Sequence, residues 1–255
     1  MKGSKVMLLI AILLVLAVAV FFGVKQMSRD VETINSGDEV TPSKSGDVTP
    51  EVLEENNYET VEKNPIVTLS VKDVGVIKIE LFPAVAPNTV ENFIELVQSG
   101  FYNGLTFHRT MPGFMAQGGD PSGDGTGGPG YGIKGEFSLN GVENNLSHER
   151  GIVSMARAQE FNSAGSQFFI VTTDSTYLDT QYAAFGKVLE GMDVVDIVVN
   201  QEVVRRKLDE GLDYYTNPEE YVKQSLELNR PINPPVIESA TVETFGVTYD
   251  APEKI

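Results

Sequence analysis

Short apolar runs separated by turn-forming residues do most to narrow the possible folds of this sequence. Val67, Leu69 and Val71 alternate with polar residues, and the alternation resumes at Ile77 after a turn at residues 73–75. A period of two is typical of half-buried strands. Further short runs, bounded by Gly, Asn or Ser, lie at residues 105–111, 114–118, 151–156, 166–172, 184–189 and 236–244. Many short strands with few helices predict a mainly β protein built on a closed antiparallel barrel.

Helical patterns are few. One amphipathic helix is predicted to begin at Pro87 and to end at Gly100. Its apolar residues have the i, i+3, i+4, i+7 spacing of a buried helix face, and they are Val90, Phe93, Ile94 and Val97. A second short helix is predicted over residues 192–199. Residues 201–229 are charged and helical in character, with a helix N-cap at Asn217.

The charge balance and the absence of cysteine exclude several functions. The chain of 255 residues has 36 acidic and 19 basic side chains, a formal net charge of −17. This excess argues against a surface for nucleic acid. With no cysteine, disulfides, thiolate metal sites and a cysteine nucleophile are excluded. The two histidines, His108 and His148, lie far apart in sequence, and we predict neither a metal site nor a cofactor.

An uncharged run from Val6 to Val24 predicts a membrane anchor. Its 19 residues would span roughly 28 Å as a helix, enough to cross a hydrocarbon core. The alternative is a cleaved secretory signal, for which Ala17-Val18-Ala19 offers the exit pattern. That tripeptide lies inside the apolar run, so we favour the retained anchor. We predict a single-pass protein of the cell membrane whose C-terminal domain is extracytoplasmic; the alternative is a domain tethered to the inner surface.

An acidic segment, residues 30–64, follows the anchor. It has 10 acidic side chains and a loose repeat at residues 37–42 and 46–50. Such a composition does not bury enough apolar surface to order itself. As a flexible linker of 35 residues it would span about 30–35 Å, and we interpret it as a disordered spacer.

Six motifs in the body of the chain resemble those of the cyclophilin family. They are Phe107-His108-Arg109, the nine residues from Pro112 to Asp120, Gly125-Thr126-Gly127-Gly128, Ser154-Met155-Ala156-Arg157-Ala158, Gly165-Ser166-Gln167-Phe168-Phe169-Ile170 and Phe185-Gly186-Lys187-Val188. In combination and in order these motifs are highly specific. The resemblance covers about residues 65–200 and a closing strand near 231–246.

The resemblance implies an eight-stranded barrel capped by two helices, with peptidyl-prolyl cis-trans isomerase activity in a groove on its outer face. The family's catalytic arginine corresponds to Arg109, which would donate a hydrogen bond to the prolyl nitrogen as the bond twists. The proline pocket of the family corresponds to Phe114, Met115, Phe169 and Leu178. Its peptide-backbone contacts correspond to Gln117, Gly125, Gln167 and the segment Ala156, Arg157 and Ala158.

The sequence departs from the family pattern at the rim of this groove. Tyr177 replaces a tryptophan that is common in the family, and Tyr182 replaces a common histidine, so contacts at the rim are altered. Arg157 replaces a common asparagine. Residues 201–229 have no counterpart in a minimal member, and we interpret them as an insertion that could bind a protein partner.

Strand alternation makes an independent prediction about which side chains share a face. It predicts that Arg109 and Phe107 point to the same face of the sheet. It also predicts that Gln167 and Phe169 share a face, whereas Phe168 points inward.

Together these features predict four parts: a cytoplasmic tail and anchor (1–29), a linker (30–64), an isomerase domain (65–246) and a C-terminal tail (247–255). The expected substrates are proline-containing unfolded or exported polypeptides, because rotation of their X-Pro bonds is slow. The alternative function is a membrane-tethered module or holdase that binds proline-containing segments without catalysing rotation.

Overall fold

The computed structural model describes residues 63–213 and 215–255. The order of elements is β1 (Ile66–Val71), β2 (Gly75–Leu81), α1 (Pro87–Gln98), β3 (Arg109–Met111), β4 (Met115–Gly118), β5 (Ile152–Met155), β6 (Phe168–Val171), β7 (Ala184–Glu190), α2 (Met192–Val199), α3 (Pro218–Glu227) and β8 (Ile237–Glu243). Two single 3₁₀ turns cover Ser138–Asn140 and Thr176–Leu178. The predicted mainly β class is confirmed.

All eight strands belong to one antiparallel sheet in the order β3-β4-β6-β5-β7-β2-β1-β8. The hairpin β1–β2 has the predicted turn, with Asp73 in the left-handed region at φ 58° and Gly75 at φ 150°. The two ends of the sheet meet where the segment before β3 lies beside the start of β8. Gly104 and Phe107 donate backbone hydrogen bonds to Ile237 and Pro235, at 2.8 and 2.9 Å. The sheet is therefore curled, with an inner and an outer face.

The main hydrophobic core lies on the inner face. Inward side chains of the sheet meet α1 there, and Phe93 of α1 lies within 5.0–5.3 Å of the rings of Tyr102, Phe168 and Phe185. The predicted stripe of α1 is confirmed, since all four of its residues are buried. The Glu136 carboxylate accepts hydrogen bonds from the backbone N–H groups of Asn88 and Thr89, which places a negative charge at the positive end of the helix.

Residues 201–229 are less helical than predicted. Within this segment the described residues form one helix, α3, and residues 201–213 and 215–217 are turns, bends and isolated bridges. The two ends of this segment are joined by a short ribbon. The backbone N–H of Val204 donates to the Arg230 carbonyl at 2.9 Å, and that of Ile232 donates to the Glu202 carbonyl at 2.8 Å.

The C-terminal residues pack against the domain. Ile255 and Gly132 exchange backbone hydrogen bonds, and the Lys254 ammonium group lies 2.6 Å from the Glu95 carboxylate of α1.

The predicted anchor at 6–24 and nearly all of the predicted spacer lie outside the described residues. Within residues 63–213 and 215–255, no helix combines the length and apolarity needed to cross a membrane.

Candidate active site

A second, smaller apolar cluster lies on the outer face of the sheet. Its buried members are Met115, Phe169, Val171 and Leu178, and its partly buried members are Met111, Phe114, Ala156 and Tyr182. The four residues predicted for the proline pocket therefore lie together. Sequence reasoning missed Met111 and Val171, although each lies two positions from a predicted site residue on the same strand, so alternation alone was enough to find them.

Arg109 begins β3 beside this cluster. Its backbone is paired with Gln117 of β4, and its guanidinium donates from Nη1 to Gln117 Oε1 at 3.1 Å and from Nη2 to Met111 Sδ at 3.2 Å. Burial lowers the pKa of Arg109 to about 10, partly offset by Tyr182 and Tyr177. The guanidinium therefore stays charged at neutral pH, with its orientation fixed by two neighbours.

A row of polar side chains continues from Arg109 across the sheet. Gln117 Nε2 donates to Gln167 Oε1 at 2.9 Å, and Gln167 Nε2 donates to the carbonyls of Gly125 and Gly127 at 3.1 and 2.8 Å. Four residues predicted from the motifs, Arg109, Gln117, Gln167 and Gly125, thus form one continuous chain of hydrogen bonds.

The loop at the end of this row is organised by Asp120, which sequence reasoning did not assign to the site. Its buried carboxylate accepts from the backbone N–H groups of Ser122, Asp124 and Gly125, at 2.7, 3.0 and 2.5 Å. The aspartate thus fixes the loop that presents the Gly125 carbonyl to Gln167.

Aromatic side chains form the rim of the cluster. The rings of Phe114 and Tyr177 are 6.0 Å apart, and the rings of Phe169 and Tyr182 meet edge to face at 5.9 Å. Tyr177 is 55% exposed. Phe114 reaches the cluster because Gly113, at φ 76°, forms the turn between β3 and β4, a conformation that glycine adopts without strain.

The segment Ala156–Ala158 lies beside the rim. Ala156 N–H donates to the Gln167 carbonyl at 2.9 Å, and Ala158 N–H donates to Ser163 Oγ at 2.9 Å. The Arg157 guanidinium lies about 5 Å from three ring centroids, those of Phe137, Phe161 and Tyr182. The Arg157 side chain is thus held in an aromatic cage, so any contact with a peptide here would use its backbone.

A buried polar chain lies behind Phe169. The His148 ring is stacked on the Phe169 ring at 6.1 Å, and its nitrogens contact Asp179 Oδ1 at 2.8 Å and Ser154 Oγ at 3.0 Å. Burial lowers the pKa of His148, although Asp179 opposes the shift. Neutral His148 therefore supports the wall of the cluster.

One prediction from alternation is wrong. Phe107 packs in the main core against Phe168, with ring centroids 6.1 Å apart, whereas Arg109 lies on the outer face. Regular strand pairing begins only at Arg109, so alternation does not extend back to Phe107. The other predictions hold, because Phe168 lies in the main core and Phe169 in the outer cluster.

No three side chains among the His, Asp and Glu residues of 63–213 and 215–255 are grouped to hold a metal ion.

A family model, curated relatives and solved structures all identify the same family for this chain. A family model for "Cyclophilin type peptidyl-prolyl cis-trans isomerase/CLD" matches residues 66–212. Peptidyl-prolyl cis-trans isomerase B of Bacillus subtilis (strain 168) is 46% identical over 140 residues, which cover 55% of this chain and 94% of the relative. A peptidyl-prolyl cis-trans isomerase of Helicobacter pylori (strain ATCC 700392 / 26695) is 41% identical over 165 residues, covering 64% of this chain and 93% of the relative.

Among solved structures, a Cryptosporidium parvum cyclophilin type peptidyl-prolyl cis-trans isomerase, crystallised in the presence of the dipeptide Ala-Pro, has a TM-score of 0.54 and 30% identity. The match covers 70% of this chain and 98% of that one. The chain belongs to the cyclophilin-type peptidyl-prolyl cis-trans isomerase family. Its activity is the cis-trans isomerisation of peptide bonds that precede proline.

Proposed function

We propose that Arg109 is the catalytic residue of this isomerase, and that the enzyme acts at the membrane surface on exported polypeptides. The observation that carries the catalytic part is the partly buried Arg109 guanidinium, which Gln117 and Met111 hold beside the outer apolar cluster. A proline ring bound on that cluster would bring its nitrogen within reach of the guanidinium.

The chemistry requires no covalent step. Rotation about a peptide bond is slow because resonance shares the nitrogen lone pair with the C–N bond, giving a barrier of about 18–20 kcal/mol. At the halfway twist the nitrogen becomes pyramidal and its lone pair can accept a hydrogen bond. A donor aimed at that lone pair stabilises the transition state more than the planar ground state, which is the condition for catalysis.

Arg109 by itself is insufficient. A ten-thousand-fold acceleration needs about 5.5 kcal/mol, and one charged hydrogen bond contributes roughly 1.5–3 kcal/mol. The remainder is assigned to the apolar wall of Phe114, Met115, Phe169 and Leu178, which would hold the ring while the acyl carbonyl swings. Gln117, Gly125 and the Ala156–Ala158 segment would hold the flanking backbone, with Tyr177 and Tyr182 at the rim.

The test is the isomerisation of an X-Pro tetrapeptide by the full chain and by Arg109→Ala. At about 1.36 kcal/mol per tenfold change, loss of the bond should lower kcat/KM about 10- to 150-fold without loss of the fold. Arg150→Ala is the matched control, because that arginine pairs with Asp196 and the Thr172 carbonyl instead of the site. Unchanged activity in Arg109→Ala would exclude the catalytic assignment.

An NMR titration with the same tetrapeptide separates catalysis from simple binding. If the wild-type chain binds the peptide in an NMR titration yet gives no cis-trans exchange, the protein is a binding module or holdase. The retained charge and fixed orientation of Arg109 support turnover instead.

The membrane part of the proposal is supported by the apolar run 6–24 and by the acidic segment 30–64. The anchor would keep the enzyme at the cell membrane and the spacer would hold it away from the surface, where exported chains emerge. Protease treatment of spheroplasts should cut within 30–64 and release the domain. Cleavage only after lysis would contradict an extracytoplasmic domain.

We also propose the segment 201–229 as the place where a protein partner would bind. A full chain that lacks these residues should lose more of its assistance to the refolding of a protein substrate than of its activity on the tetrapeptide. Unchanged assistance would exclude the partner role.

A further inference from the structure

The strand that carries Arg109 is short and stands at an end of the sheet order. β3 has three residues and is paired along one edge with β4, in the register Arg109 with Gln117 and Met111 with Met115. A three-residue strand at an edge is held by few backbone hydrogen bonds. Such elements open locally at low cost unless something else holds them.

The other edge of β3 is held by residues 201–229, which we name the clamp segment. Thr110, the residue after Arg109, donates its backbone N–H to the Asn229 carbonyl at 2.8 Å. The Thr110 carbonyl accepts a hydrogen bond from Arg206 Nη1 at 2.8 Å. Both backbone polar groups of Thr110 are therefore bound by the clamp segment.

Arg206 also ties the clamp segment together. Its Nη2 donates to the Gln201 carbonyl at 3.2 Å, and its Nη1 lies 3.4 Å from Asn229 Oδ1. A single guanidinium thus joins the first residue of the segment, the last residue of the segment and β3. Such a multiple contact uses the forked donors of arginine, which lysine lacks.

The neighbouring arginine has a different role. Arg205 donates from Nε to Glu227 and from Nη1 to Asp209, at 3.1 and 3.2 Å, and both partners lie within the clamp segment. The side chain of Arg205 therefore makes its ion pairs within the segment, whereas that of Arg206 also reaches β3.

We infer that Arg206 is a positioning residue for the isomerase reaction, which holds β3 in place so that Arg109 stays aligned with the prolyl nitrogen. The inference rests on the proposed catalytic role of Arg109. Misplacement of a catalytic group by about 1 Å can cost about a hundredfold in rate, so even partial opening of this strand would lower turnover. Peptide binding on the apolar cluster, which lies on other strands as well, would change little.

The test compares Arg206→Ala, Arg206→Lys and Arg205→Ala in the full chain. Two quantities are measured: kcat and KM separately with an X-Pro tetrapeptide, and hydrogen exchange of a peptide that contains Thr110. Arg206→Ala should lower kcat about tenfold, with KM changed less than about twofold, and should speed exchange at Thr110. Arg206→Lys should recover part of kcat, since an ammonium can still reach the Thr110 carbonyl, and Arg205→Ala should leave kcat and exchange unchanged.

Three results would overturn the inference: an unchanged kcat in Arg206→Ala, equal losses in the two alanine variants, or a loss that follows global unfolding measured by circular dichroism. Failure of the proposed function would look different. If Arg109→Ala is fully active while Arg206→Ala still speeds exchange at Thr110, Arg206 holds the strand and the catalytic role of Arg109 is wrong.

Discussion

Acid should destabilise this protein through His108. The imidazole is 4% exposed, and within the described part of the chain neither ring nitrogen makes a hydrogen bond of good geometry. Burial lowers the pKa of His108 to about 4, with the Arg109 charge lowering it further and Asp120 opposing. In the unfolded chain a histidine has a pKa of about 6.5. His108 is thus neutral in the folded protein at every pH near neutrality.

The direction of the change in stability with pH follows from which state of the chain, folded or unfolded, binds the proton. Between pH 6.5 and 4 the unfolded chain is protonated at His108 and the folded chain is not, so stability falls as the pH falls through this window. Above pH 6.5 His108 is neutral in both the folded and the unfolded chain, so it causes no loss of stability there. A difference of about 2.5 pKa units at about 1.36 kcal/mol each gives a loss of about 3 kcal/mol by pH 4, a large share of the stability of a typical domain.

Urea unfolding of the full chain at several values between pH 7.5 and 4.5 measures this loss. His108→Asn removes the titrating group, so its free energy of unfolding should depend on pH less steeply than that of the wild type. His148, whose pKa is also lowered, is present in both proteins and cancels in the comparison. Parallel curves for the two proteins would refute the assignment, whatever constant offset the substitution introduces.

Three further outcomes are expected. Asp120→Ala should lower stability by about 2–3 kcal/mol in urea unfolding and raise KM, because three backbone N–H groups lose their acceptor and the Gly125 loop loosens. Phe169→Ala should lower kcat/KM for the tetrapeptide even when the variant and the wild type are compared at the same concentration of folded protein, since the wall of the outer cluster is lost. Lys254→Ala should change the midpoint of thermal unfolding little, because its ion pair with Glu95 is half-exposed and screened by solvent; a marked decrease would show that this pairing orders the C-terminus.

The sequence predicted most of the sheet because alternation and turn residues are local signals. The strands β1 and β2, the helix α1 and the buried stripe of α1 follow from spacing alone. The opposite faces of Phe168 and Phe169 follow as well. The prediction failed for Phe107, because alternation is reliable only where the strand is regularly paired.

The residues that support the site could not be predicted in this way. His148 and Asp179 are separated by 31 positions, and Arg206 and Thr110 by 96. No spacing rule links such pairs, because their contact depends on how loops and the clamp segment pack after the sheet has formed. Asp120 lies within a recognised motif, yet its role is visible only from the three backbone N–H groups that donate hydrogen bonds to its carboxylate.

The environment of Arg109 reconciles partial burial with a permanent charge. A guanidinium removed from water makes a stronger hydrogen bond, since the local dielectric is lower, but the same removal favours the neutral form. Here burial lowers the pKa only to about 10, while Gln117 and Met111 accept two of the N–H groups. At pH 7 about one molecule in a thousand is therefore neutral at this group. A lysine in the same place starts from a pKa about two units lower and would titrate near pH 8 under an equal shift, so about a tenth of the molecules would be neutral at pH 7, which is a physical reason for an arginine at this position.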